Sequence, residues 1–145
     1  MALILKQKYP QADVIGLDLS PQMLTMADYK ARQKELELTW YQGLAENSPF
    51  PSNYFDLISI ALLFHETPRD ITQAILQECF RLLVPGGQLL ILDGNQSQLR
   101  QSEWLTQVFE EPYIQEFARG DLSHSLQEAG FEMVKTQVHW WINQI

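Results

Sequence analysis

Residues 14–21 read Val14-Ile15-Gly16-Leu17-Asp18-Leu19-Ser20-Pro21, an apolar run that ends in a carboxylate and then a helix-start signal. Val14, Ile15 and Leu17 suit a strand covered on both faces. That brings Asp18 to the strand's carboxyl end, where open α/β sheets bind their ligands. Ser20 reads as an N-cap and Pro21 as the first helical residue. Two readings of Asp18 stand side by side. An ionised carboxylate here can accept hydrogen bonds from two vicinal ribose hydroxyls, or it can do no more than help cap the helix that follows.

Working outward, Leu3, Ile4 and Leu5 followed by Lys6 and Lys8 predict the last turns of an amphipathic helix that Tyr9-Pro10 stops. A helix running straight into a buried parallel strand should be crossing over from an earlier strand, so the pattern predicts a segment missing upstream. On the other side, Pro21 to about Leu36 is predicted helical, with Leu24, Ala27 and Ala31 on one face. Leu38 to Gln42 is a short strand by its β-branched and aromatic content. It ends in the small-residue turn Gly43-Leu44-Ala45-Glu46, and Asn47 to Asn53 is loop.

Tyr54 to Ala61 is a second nearly continuous apolar run, hence a buried strand, and Leu62 to Glu66 leaves it as a loop. Thr67-Pro68-Arg69-Asp70 is a helix start with Thr67 as N-cap, and Ile71, Ile75, Cys79 and Leu82 follow on one face. Cys79 is therefore a core residue rather than a nucleophile. Val84-Pro85-Gly86-Gly87 stops that helix, and Gln88 to Leu92 is a buried strand with Asp93 and Gly94 at its carboxyl end. Beyond it, the composition predicts a helix from Gln98 to Glu111, a helix from Gly120 to a C-cap at Gly130, and a strand from Phe131 to Ile142. Trp140 and Trp141 read as packing residues, because no basic residues interleave them.

The 145 residues fit one domain over 1–145, and 46% hydrophobic content supports a core. A formal net charge of −8 disfavours nucleic acid as a partner. The single cysteine excludes an internal disulfide and fits a reducing, cytoplasmic setting. No apolar run approaches the ~20 residues of a membrane span, and His65, His124 and His139 are too scattered for a metal-ligand spacing.

Four stretches, VIGLDLSPQML, GLAENSPFP, YFDLISIALLFHE and RLLVPGGQLLILD, occur in that order over about ninety residues. Together they resemble the class I S-adenosylmethionine-dependent methyltransferases, especially the subgroup acting on small molecules and quinone precursors. The resemblance implies a Rossmann-like, doubly wound, mostly parallel sheet with helices on both faces. It implies S-adenosyl-L-methionine as cofactor and a small-molecule methyl acceptor. Carried over by position, it implies that Asp18 binds the cofactor ribose, Leu19 and Met23 pack near adenine, Ala45 and its neighbours line the adenine pocket, and Ala61 lies near the methionine part.

Two departures from the family stand out. Leu44 occupies a position where many relatives carry an aspartate that accepts from the adenine amino group, which predicts looser adenine discrimination. The family's first strand and glycine-rich turn are also missing. In the family's sheet that strand lies between the Asp18 strand and the Phe55 strand, so two inner edges are expected to lie open, with weak cofactor binding and self-association as consequences. Relatives finish with an antiparallel strand pair, of which only one strand is legible here.

His65 and Glu66 stand at the strand edge where a general base would be needed if the acceptor arrives protonated; the other reading of His65 is structural. Two other functions compete with methyl transfer. One is a noncatalytic remnant acting through protein contacts, which the missing turn favours and the Asp18 and Ala45 loops oppose. The other is a nicotinamide-binding domain, against which the Pro85-Gly86-Gly87 turn and the loop from Gly43 to Phe50 count.

Overall fold

The alternating strand and helix signals produce an α/β chain of two compact units, Met1–Pro49 and Phe50–Ile145. The computed structural model describes residues 1–101, 112–139 and 142–145.

The first unit contains α1 (Ala2–Lys8), β1 (Ile15–Asp18), α2 (Pro21–Arg32) and β2 (Thr39–Gln42). The two strands pair in parallel, from Ile15 opposite Thr39 to Asp18 opposite Gln42. Gly16 makes room for the Trp40 ring, which an added Cβ would overlap. Coverage on both faces is not what β1 receives: Ile15, Gly16 and Leu17 are half-buried and Asp18 is exposed. The reason is that, among the described strands, β1 pairs with β2 alone, and a strand is buried only when neighbours and layers cover it. Helix α2 also stops earlier than its periodicity suggests. Glu35 turns left-handed at φ 53°, and the Leu36 N–H returns to the Ala31 carbonyl at 3.0 Å, which closes the helix as a Schellman-type turn does.

In the second unit, β3 (Phe55–Ala61) pairs in parallel with β4 (Leu83–Gly94). Antiparallel to β4 runs β6 (Ile142–Gln144), which also pairs with β5 (Gln137–His139). The strand order is β3-β4-β6-β5, so the described strands form two separately hydrogen-bonded sheets, with β1 and β3 each paired on one side. The terminal antiparallel pair is thus present, although composition showed one strand only. Phe131 to Thr136 lies outside any strand.

Helix α3 (Arg69–Leu82) brings Ile75, Leu76, Cys79 and Leu82 into the core with Phe64 and Ile91. Of the periodic face read from the sequence, Ile75, Cys79 and Leu82 are buried and Ile71 is half-buried. Burial, and secondarily the charge of Glu78, pushes the Cys79 thiol up to about 12, so at neutral pH it is an inert thiol. Thr67 is not the N-cap: Pro68 occupies that position with no side-chain cap bond. The preceding 3₁₀ turn, Phe64–Glu66, draws the Thr67 hydroxyl instead to Thr72 Oγ1 at 2.9 Å. Strand β3 is also less covered than its apolar run suggests, with Ile60 buried and Ala61 exposed.

The remaining described helices are α4 (Gln96–Gln101), α5 (Ile114–Arg119) and α6 (Leu122–Glu128). The Gln96 amide and the Arg100 guanidinium donate to the carbonyls of Phe117 and Ala118, at 2.6 and 2.7 Å, and so tie α4 to the end of α5. Gly130, at φ 104°, closes α6, and its missing side chain admits the Phe80 ring. The helix expected through Glu111 and the packing expected of Trp140 and Trp141 fall wholly or partly outside the described residues. Among those residues no helix is long and apolar enough to cross a membrane.

Candidate functional site

In the first unit, the candidate residues gather at the carboxyl ends of β1 and β2. The Ser20 N–H donates to Asp18 Oδ1 at 2.8 Å, and the Met23 N–H donates to Ser20 Oγ at 3.3 Å. Asp18 thus orients the turn into α2, and Ser20 with Pro21 starts the helix as the sequence indicates. The second strand end is fastened to the first, since the Gly43 N–H donates to the Asp18 carbonyl at 3.1 Å and the Gln42 amide to the Leu19 carbonyl at 3.2 Å. These bonds hold Gly43, from which the Leu44-Ala45 turn starts, at the carboxyl end of β1.

Leu19, Met23 and Leu44 are 62%, 63% and 44% exposed, beside an exposed carboxylate whose Oδ1 is held by Ser20. An acceptor-only group next to apolar side chains suits a ribose diol attached to a flat, weakly polar base. The residues present therefore fit the adenosine part of the implied cofactor. Glu46 follows in the same turn and is half-buried.

The second unit carries a different cluster at the carboxyl ends of β3 and β4. Ala61 is the exposed last residue of β3, and Leu62 then adopts a left-handed φ of 55° while its N–H donates to the Leu92 carbonyl at 2.8 Å. That turn aims the next two backbone N–H groups, of Leu63 and Phe64, at Asp93 Oδ2, at 3.1 and 2.8 Å. Asp93 Oδ1 faces His65 Nδ1 at 2.6 Å and accepts from the Gly94 N–H at 2.7 Å. Asp93 is 1% exposed. Its two oxygens meet three backbone N–H groups and one imidazole nitrogen, the full number of partners a carboxylate can take.

The His65 side chain is 15% exposed, with Nε2 3.7 Å from Glu66 Oε1. On its other side the Phe117 ring of α5 lies 6.4 Å away, centroid to centroid. Sequence reasoning placed Asp93 at a strand end without a role. The available signal was positional, because Asp93 ends an apolar strand just as Asp18 does.

The methyltransferase domain family matches residues 1–87. A demethylmenaquinone methyltransferase of Thermus thermophilus is 40% identical over 93 residues, which are 64% of this chain and 41% of that protein. An uncharacterized methyltransferase of Synechocystis is 32% identical over 136 residues, 88% of this chain and 60% of that one. The chain therefore spans between two fifths and three fifths of the length of these relatives. Among solved structures, a SAM-dependent methyltransferase from Methanosarcina mazei superposes with a TM-score of 0.77 at 19% identity, covering 99% of this chain and 84% of that one. The PH0226 protein of Pyrococcus horikoshii gives the same TM-score of 0.77 at 15% identity, over 98% of this chain and 73% of its own. These structures establish the fold, which is Rossmann-like.

Proposed function

The chain belongs to the methyltransferase domain family, of the class I S-adenosylmethionine-dependent kind, and from that premise we propose that it transfers a methyl group to a small-molecule acceptor. The observation that carries this reading is the pairing of exposed Asp18, held through Oδ1 by Ser20, with the exposed apolar side chains of Leu19, Met23 and Leu44. Asp18 takes the two ribose hydroxyls, Leu19 and Met23 pack near adenine, and Leu44 and Ala45 line the base pocket. By its position in the family pattern, Ala61 is assigned to the methionine part. When bound, the cofactor supplies an electrophilic methyl carbon on a sulfonium centre.

Most of the acceleration in such a transfer comes from alignment of the two reactants. A base is required only for an acceptor that arrives protonated, and His65 is the general base of this reading. The name of the Thermus relative, a demethylmenaquinone methyltransferase, supports a quinol-type aromatic acceptor. The buried lone thiol of Cys79 supports a reducing, cytoplasmic setting.

The test is transfer of labelled methyl from S-adenosylmethionine to a demethylated naphthoquinol. Labelled product is expected, with Asp18→Ala lowering kcat/KM by roughly 10- to 100-fold, the loss of hydrogen bonds to a charged group. Absence of both product and cofactor binding would remove the reading.

A further inference from the structure

We propose that Asp93 is a positioning residue for His65: it holds the neutral imidazole with its proton on Nδ1, so that Nε2 is the nitrogen that receives the acceptor's proton. The proposal rests on the methyl-transfer reading above and adds to it a partner 28 residues away in sequence.

The geometry points to this tautomer through the company Asp93 keeps. Leu63 and Phe64 fill Oδ2 with backbone N–H groups, and Gly94 donates to Oδ1. The remaining close neighbour of Oδ1 is His65 Nδ1 at 2.6 Å. A carboxylate offers only lone pairs, so the ring nitrogen facing it must carry a hydrogen. A neutral imidazole has one N–H, and with that proton on Nδ1 its lone pair sits on Nε2.

The carboxylate is also unable to swing away. It is 1% exposed, and three backbone N–H groups from two strand ends hold it. The left-handed turn at Leu62 is what aims two of them. Backbone in that region is costly for a leucine and persists where its surroundings over-determine it. Phe117 limits the ring on its other side. His65 is thus oriented by its carboxylate partner in the way that catalytic bases are oriented by a third group.

The proton balance is closed by this arrangement. The acceptor's acidic proton passes to Nε2, the electron pair left on the acceptor forms the bond to the methyl carbon, and the methyl–sulfur bond breaks with its pair kept by sulfur. The imidazolium, facing Asp93, then returns its proton to water.

Long-range ¹H–¹⁵N spectra of the full chain read the tautomer directly, with His65→Gln assigning the signals among the three histidines. At a pH where the ring is neutral, the wild-type His65 should show a protonated Nδ1 and a pyridine-like Nε2. Asp93→Asn should shift it toward the Nε2–H form and lower kcat by roughly 100-fold or more, the usual worth of a positioned base, with cofactor affinity unchanged. An Nε2–H tautomer in the wild type overturns the proposal without needing any variant to fold. So does a protonated Nδ1 with kcat untouched by Asp93→Asn. Cofactor titration on the same samples keeps the two claims apart: a wild type that neither binds nor transfers overturns the functional reading and, with it, the catalytic use of His65.

Discussion

The two units differ in how they hold themselves together. Met1–Pro49 buries a single side chain, Ala31, and exposes Leu19, Met23, Met26, Tyr29 and Leu44. Phe50–Ile145 buries Phe64, Ile75, Leu76 and Ile91 almost completely. Apolar burial stabilises by roughly 25 cal/mol per Å², so the second unit has a core to fold around and the first largely does not. The lesson concerns the candidate site. Exposed apolar side chains grouped beside an oriented carboxylate have something to gain from a ligand that covers them.

Truncation mutants expose this contrast most strongly. Leu76→Ala should cost about 2–5 kcal/mol in urea unfolding, the range for a fully buried leucine. Half-buried Leu17 should cost less than half as much when changed to Ala. Equal losses would mean that β1 is packed as tightly as α3.

A pH series sharpens the contrast next. The Cys79 thiol is raised from 9.0 to about 12, by burial first and by Glu78 second. A thiol whose folded value lies above its unfolded value contributes stability that is fully present below pH 9 and lost as pH rises toward 12. By pH 10.5 that loss should reach about 2 kcal/mol. Cys79→Ala should lack this component, and parallel pH profiles for the two proteins would contradict the burial.

The smallest expected effect is in the first unit. Ser20→Ala removes the Oγ that accepts the Met23 N–H and should cost about 1 kcal/mol. Amide hydrogen exchange should locate that loss in the first turn of α2, and protection there equal to the wild type's would contradict the cap.

Legibility in the sequence followed range. The Asp18-Leu19-Ser20-Pro21 turn was readable because a cap is made by neighbours, and the Ile75-Cys79-Leu82 face because helical period is local. Burial of β1 and β3 was misjudged because a strand's coverage is set by what lies beside it, not by its own residues. The Thr67 cap was misplaced for a related reason: its hydroxyl had a competing partner in Thr72. The contact between His65 and Asp93 spans 28 positions, and no local pattern encodes it. The terminal β5 and β6 pair was half-legible, since each strand is three residues long, too short for a period of two to register.

Calorimetric titration with S-adenosylhomocysteine, on the wild type and on Asp18→Ala, tests most directly whether the first unit is the cofactor-binding one. Weak but saturable binding to the wild type is expected, weakened further in Asp18→Ala by roughly 1.5–3 kcal/mol, the contribution of hydrogen bonds to a charged acceptor. Equal affinity in the two proteins, or no binding to the wild type, would contradict the assignment of Asp18 to the ribose.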